Sequence, residues 1–397
     1  MPAPVEQGRK LRAWWFHRQG YGGEAEALST AAILAKSGWA RSVGGCGPYL
    51  TFFTRAGISR EAVDRAVADL QIQELPSARG CTYIVPAEDF PLALLLAQNS
   101  GGGEMRVAEK LGVPAKEIDD LCQAVLAALK KAPLDPDGIR QATGKAVRSL
   151  GPEGQAKGLP STLPVALERL QNSGEIRRIP SNGRLDQQRY KYALWRPNPL
   201  CGAKLDLEKA ALELAKRFFS WIAPARLCEF QAFAGFGVKQ AKAASEPLKL
   251  EPISKDDDFL ILPADRAAFE DFKPDKGSSY HLVSSLDSLL LLRRDLTSLL
   301  DPNDAATWVG GGKVMELPSP AIIDRGRIVG LWEFDPVSES IAYQTFIKEN
   351  AQLKKAIAAT ESYIRTQLGD ARTFSLDSPK SRIPRIEALR KAKKITA

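Results

Sequence analysis

Between Leu159 and Trp195 the apolar positions change period once, and the change divides a helix from a hairpin. Leu163, Leu167 and Leu170 recur at helical spacing behind Ser161 and Thr162, which suit an N-cap, and Pro164, which has no N–H to leave unpaired in a first turn. Gly174 marks the helix end. Residues 176–179 then read as a short strand, Asn182-Gly183 predicts a tight hairpin turn through positive φ angles, and Tyr190, Tyr192 and Leu194 share one face of a returning strand. The same order of helix and hairpin is expected at 59–85, where Val63, Val67 and Leu70 are in register behind Ser59, and again at 238–262.

Around these three copies the pattern predicts further helices. Leu11, Trp14, Trp15 and Arg18 fall at helical spacing, and the aromatic cluster is read as core. A helix over 24–36 leads into SGWARSVGGCGPYL, where four glycines between 38 and 47 forbid a stable helix and predict a loop. Helices are expected at 48–54, 86–99, twice within 105–131, and at 205–221, 224–234 and 238–245, with a joint at SGGGE, 100–104. Farther on, VMELPSPAII, RIVGLWEF and IAYQTF predict a small antiparallel sheet or barrel, followed by a helix over 347–367 and a basic, proline-interrupted tail that is read as partly ordered and as a candidate DNA contact. The expected class is therefore α+β: three tandem winged-helix units and a C-terminal β-rich part. The boundaries are 1–100 for the first unit, 101–200 for a helical linker and the second, 201–275 for the third, 276–346 for the β-rich part and 347–397 for the last helix and tail.

Charge turns this architecture toward a polyanion. From Arg140 to Leu200 there are eleven Lys and Arg against four acidic residues, and the stretch from Arg372 is also strongly basic, so the overall charge of +8 leaves the remaining chain acidic. Arg177, Arg178, Arg184, Arg189 and Lys191 lie on the central hairpin, where they are candidates for contacts to a DNA backbone. The five cysteines form no CxxC pair and only His17 and His281 are available, so no metal site, zinc finger or disulfide framework is expected. No apolar run is long enough to span a bilayer, which predicts a soluble, cytoplasmic protein with no membrane contact.

Several motif-like stretches carry no chemistry. Gly138–Lys145 has five residues between its glycines instead of the four of a P-loop and Ala146 where Ser or Thr is required; GGGK at 310–313 precedes a strand; and Asp256, Asp257 and Asp258 read as a solvated turn.

The segment GPYLTFFTRAG at 47–57, with ARGCTYIVPAEDF at 78–90, RRIPSNGRLDQQRYKYALWRPNP, SSLDSLLLLRRD at 284–295 and LPSPAIIDRGRIVGLWEFD at 317–335, resembles the AlkZ and YcaQ type of DNA glycosylases, in the family's order over roughly residues 7–350. The resemblance implies action on duplex DNA, by a monomer without cofactor, removing alkylated or crosslinked bases. Such a reaction builds oxocarbenium-like charge on the sugar and needs a water-positioning group and an anionic or polar stabiliser. The family places a Gln-x-Gln or Gln-x-Asp pair shortly before Pro-Tyr-Leu, where this chain has SGWARSVGGCG. Gln71 and Gln73 lie beyond the next helix and do not correspond. The catalytic candidates are therefore Ser42, to orient water, and Glu88 or Asp89, which also suit capping of the following helix; Trp39 is a candidate for stacking on a base and Arg41 for a phosphate. Rival readings are a non-catalytic damage-recognition relative and a winged-helix transcription regulator.

Overall fold

In the computed structural model, which describes residues 4–100, 102–255, 257–301, 304 and 314–392, three small helix-and-strand units are followed by an antiparallel sheet. Helix α1 (Pro4–Arg18) buries Trp14 and Trp15, whose indole N–H groups donate to the carbonyls of Ala223 and Pro224 at 2.8 and 3.0 Å. The aromatic cluster is thus core, and it joins the N-terminus to the third unit.

The first unit runs α2 (Thr30–Ser37), β1 (Ala40–Arg41), α3 (Gly47–Ala56), α4 (Arg60–Ala68), β2 (Ile72–Pro76) and β3 (Thr82–Pro86), with β3 between β1 and β2. Gly57, at φ 63°, ends α3, and the Ser59 hydroxyl accepts the Ala62 N–H to start α4. Helices α5 (Phe90–Ser100) and α6 (Gly103–Lys110) lead to the middle unit: α7 (Ala115–Leu129), α8 (Pro136–Thr143), α9 (Gly151–Ala156), α10 (Leu163–Asn172), β4 (Ile176–Pro180) and β5 (Tyr190–Leu194). Leu134, between α7 and α8, bridges to Tyr192 and takes the place that β1 has in the first unit. The third unit repeats the order as α11 (Leu207–Ile222), β6 (Ala225–Arg226), α12 (Leu227–Ala234), α13 (Val238–Ser245), β7 (Glu251–Pro252) and β8 (Phe259–Ile261), with β8 central.

Two local expectations change in the middle unit. Thr162 does not cap α10; its hydroxyl accepts the Arg148 N–H at 3.0 Å. Strands β4 and β5 are joined by residues 181–189 instead of a two-residue turn, although Gly183 keeps a φ of 76°. The reason is long-range: Leu185 is fully buried in one cluster with Tyr49 and Cys46, and its N–H donates to the Tyr49 hydroxyl at 2.9 Å. The loop is long because it docks onto the first unit.

After α14 (Arg266–Asp271), β9 (Tyr280–Val283), β10 (Ala321–Asp324), β11 (Arg327–Asp335) and β12 (Ser340–Thr345) form one antiparallel sheet in the order β12-β11-β10-β9. Short α15 (Ser288–Leu291) begins behind Asp287, which accepts two hydrogen bonds from buried Arg55 of α3 at 2.7 and 3.0 Å. Helix α16 (Ala351–Tyr363) covers part of the sheet, and the basic C-terminal stretch is a docked helix, α17 (Pro379–Lys391). Its arginines are held by carboxylates: Arg382 is fully buried and bonds Asp370 at 2.8 and 2.9 Å, Arg385 bonds Glu333 at 2.8 Å and Arg390 bonds Asp335 at 2.7 Å. Up to residue 392 the stretch is therefore not a free cationic tail. Residues 393–397, Asp256 of the acidic turn and GGGK at 310–313 lie outside the described residues.

Candidate active site and nucleic-acid interface

Strand β1 pairs Ala40 with Ile84 and Arg41 with Tyr83, and the Ser42 N–H extends the pairing to the Thr82 carbonyl at 3.0 Å. This register turns the Ser42 hydroxyl onto Glu74 of β2, to whose Oε1 it donates at 2.5 Å. The Tyr190 hydroxyl, from the start of β5, donates to the same oxygen at 3.0 Å. On the other side the Arg178 guanidinium of β4 lies 4.0 Å from Oε2, and it also stacks over the Tyr190 ring at 5.1 Å. Glu74 is 2% exposed, and its Oε2, like Nε of Arg178, has no hydrogen-bond partner among the described residues.

A buried carboxylate of this kind survives only beside a cation or donors. Burial works most strongly against the charge on Arg178, but Glu74 together with the Tyr192 and Tyr190 hydroxyls outweighs it, so the guanidinium pKa is raised. Burial and then the Glu74 charge raise the Tyr190 hydroxyl, which keeps it a donor. Gln73 ties the same two strands together by donating from Nε2 to the Arg178 carbonyl at 2.7 Å. The first and middle units thus meet across a closed polar cluster with one carboxylate at its centre.

The structure brings Ser42 to a carboxylate, but not to Glu88 or Asp89. Asp89 is buried and accepts from Trp39 Nε1 at 2.8 Å and from Arg217 Nε and Nη2 at 3.0 and 2.7 Å. Glu88 is exposed, 4.0 Å from Arg217, and neither side chain caps the following helix. Trp39 is 2% exposed among Trp221, Tyr83 and Phe233, so neither face of its ring is open to a base. Arg41 donates to the Thr82 carbonyl at 3.0 Å and packs over Tyr83.

The glycines that follow have a different use from a catalytic loop. Cys46 N–H donates to the Arg372 carbonyl at 2.9 Å and Ser375 N–H to the Val43 carbonyl at 3.0 Å, so the C-terminal segment runs directly against the loop. A Cβ at Gly45 would stand 2.1 Å from the Thr373 carbonyl oxygen. The loop is glycine-rich because another backbone lies on it.

Glu74 is the residue that sequence reasoning passed over. Its signal was available: strand alternation sets it on the face of buried Ile72, where a carboxylate needs an explanation.

Alternation also sorts the cations of the central hairpin. Arg177, Ile179, Lys191 and, just before β5, Arg189 share one face, while Arg178 points to the cluster. Arg184 is turned inward by an ion pair with Asp186 and a 2.8 Å bond to the Leu368 carbonyl. Arg177, Arg189 and Lys191 make no side-chain hydrogen bond or ion pair with a described residue; Lys191 and Arg189 are exposed, and half-buried Arg177 has its pKa lowered by lost solvation alone. Three unneutralised cations on one ribbon face can follow phosphates. Among the described residues no helix is long and apolar enough to cross a membrane, and no group of three His, Cys, Asp or Glu side chains could hold a metal ion.

This arrangement, small helix-and-hairpin units meeting a β-rich part with a cationic ribbon, is that of a DNA glycosylase fold, and the chain belongs to the AlkZ-like DNA glycosylase family, whose model matches residues 46–364. Among solved structures it is similar to the Streptomyces sahachiroi DNA glycosylase AlkZ, with a TM-score of 0.67, 19% identity, and coverage of 92% of this chain and 98% of that one. No curated protein sequence matches this chain.

Proposed function

We propose that the protein is a DNA-repair glycosylase, built from three winged helices, that hydrolyses the N-glycosidic bond of a damaged base and uses Glu74 in place of the family's Gln-x-Gln pair. The observation that carries this reading is the Ser42–Glu74 contact: at the position of the missing pair stands a serine bonded to a buried carboxylate, one of whose oxygens accepts no hydrogen bond from a described residue. A carboxylate there stabilises developing positive charge on the sugar, and Ser42 holds its orientation. Arg177, Arg189 and Lys191 hold the DNA backbone; Arg178 and Arg184 act through their internal partners. Glu88 and Asp89 have no part in the reaction on this reading.

One observation favours a second reading, a relative that recognises damage without catalysis. Glu74 is sealed by Arg178 and Tyr190, so a sugar reaches it only after Arg178 moves aside. Incubating the protein with a duplex carrying alkylated purines, then cleaving abasic sites, separates the two. Cleaved strands support hydrolysis; intact DNA with salt-sensitive binding supports recognition alone.

A further inference from the structure

Three segments from distant parts of the chain enclose a polar pocket of about 400 Å³: the loop that joins β4 to β5, Cys46 ahead of α3, and the C-terminal stretch around Arg372. Hydrogen bonds tie its walls together. The Cys46 N–H donates to the Arg372 carbonyl at 2.9 Å, the Arg372 guanidinium to the Asp186 carbonyl at 2.8 Å, and the Arg184 guanidinium to the Leu368 carbonyl at 2.8 Å. The family model ends at residue 364, so one wall of the pocket comes from beyond the residues that it matches.

The charges in this pocket do not cancel. Each of its two carboxylates has an arginine of its own: Asp186 pairs with Arg184, and Asp370 accepts two bonds from buried Arg382 at 2.8 and 2.9 Å. Arg189 and Arg372 form no ion pair with a described residue. Arg189 is exposed and its side chain makes no internal hydrogen bond, while the one bond of Arg372, to a neutral carbonyl, leaves its other N–H groups without a partner among the described residues. Ser375 and Gln187 line the same space, and their side chains bond no described residue. Cys46 adds no charge, because burial, followed by Asp370 and Asp186, raises its thiol pKa. Two spare guanidinium groups and two neutral donors thus border one space that offers them no anion.

We propose that this pocket binds a phosphate group, with the Arg189 and Arg372 guanidiniums paired to its oxygens and Ser375 and Gln187 donating to them. Arg189 stands at the edge of the cationic ribbon, so a DNA strand on that face brings a phosphate to the pocket; a free phosphorylated small molecule presents the same chemistry. Only the DNA source rests on the base-excision reading above. The pocket's own charges stand without it.

The test titrates the full chain with inorganic phosphate by calorimetry, with chloride keeping the ionic strength constant. Saturable binding is expected, weakened about tenfold or more by Arg189→Gln or by Arg372→Gln, a difference of about 1.4 kcal/mol. Arg189→Gln removes no internal contact and keeps the test valid should Arg372→Gln fail to fold. Lys191→Gln, a ribbon cation outside the pocket, should not alter phosphate binding. No saturable binding, binding that survives Arg189→Gln, or an equal loss in Lys191→Gln overturns the assignment. Undamaged duplex then identifies the source. A salt slope lowered by about 0.9 in Arg372→Gln, with phosphate competing more strongly than chloride, assigns the group to a DNA strand. An unchanged slope beside retained phosphate binding assigns it to a small molecule. Excision from an alkylated duplex is measured in parallel: phosphate binding without excision keeps the pocket and rejects the catalytic reading, whereas excision without phosphate binding does the reverse.

Discussion

The Ser42 hydroxyl lies 2.5 Å from Oε1 of Glu74, thirty-two residues farther along the chain. That oxygen has a second donor in Tyr190, so removing Ser42 leaves the carboxylate in place but more weakly oriented. Ser42→Ala is therefore expected to slow excision about tenfold to a hundredfold while duplex affinity stays unchanged. Single-turnover rates and a gel-shift titration measure the two effects, and an unchanged rate would remove Ser42 from the mechanism.

The three unpartnered hairpin cations form the second expectation. Substituting Arg177, Arg189 and Lys191 together by alanine should reduce the slope of log affinity against log salt by about 0.9 per lost contact. Arg184→Ala should leave the slope unchanged and lower stability, because its guanidinium serves Asp186 and the Leu368 carbonyl. A slope that falls equally in both variants would mean that orientation on the ribbon does not decide DNA contact.

The buried Arg55–Asp287 pair joins the first unit to the β-rich part, with Gln19 and Ser288 completing its hydrogen bonds. Asp287→Ala strands the guanidinium without a counter-charge and is expected to cost about 3–5 kcal/mol. Denaturant unfolding checks this, and a loss below about 1 kcal/mol, the range of an exposed pair, would contradict it.

His281 is held neutral: burial lowers its pKa to about 4, while Nδ1 meets the Thr54 carbonyl at 2.9 Å and Nε2 the Ser279 hydroxyl at 3.1 Å. Between the ordinary value of 6.5 and about 4 the unfolded chain binds the proton and the folded one does not. Stability should therefore be lost as pH falls through that window, by at most about 3 kcal/mol from this group. The difference in pH dependence between the protein and His281→Gln isolates it from nearby Asp287 and Asp324, and identical profiles would reject the assignment.

What the chain reveals before it folds follows the range of its interactions. Helices α4, α10 and α13 and the paired strands behind them were legible because periodicity, Ser59 and Gly174 act within a few residues. The loop at 181–189 was misread because Leu185 is held by Tyr49, 136 residues away. The C-terminal arginines read as a free tail because their carboxylates, Glu333 and Asp335, stand 52 and 55 residues back. Ser42 could be named from its place ahead of Pro-Tyr-Leu, but not its partner. Glu74 becomes a candidate only when β1 and β2 flank β3 and when Tyr190, 116 residues on, closes over it.

The central claim is that the carboxylate of Glu74 carries the reaction, and Glu74→Gln tests it most directly because it keeps the side chain's shape and removes the charge. Protein and variant are compared on a duplex bearing alkylated purines, by single-turnover excision and by binding to the same DNA. The account predicts excision by the native protein, a loss of about a hundredfold or more in the variant, and equal affinity for the duplex. Excision that persists unchanged in Glu74→Gln would contradict it.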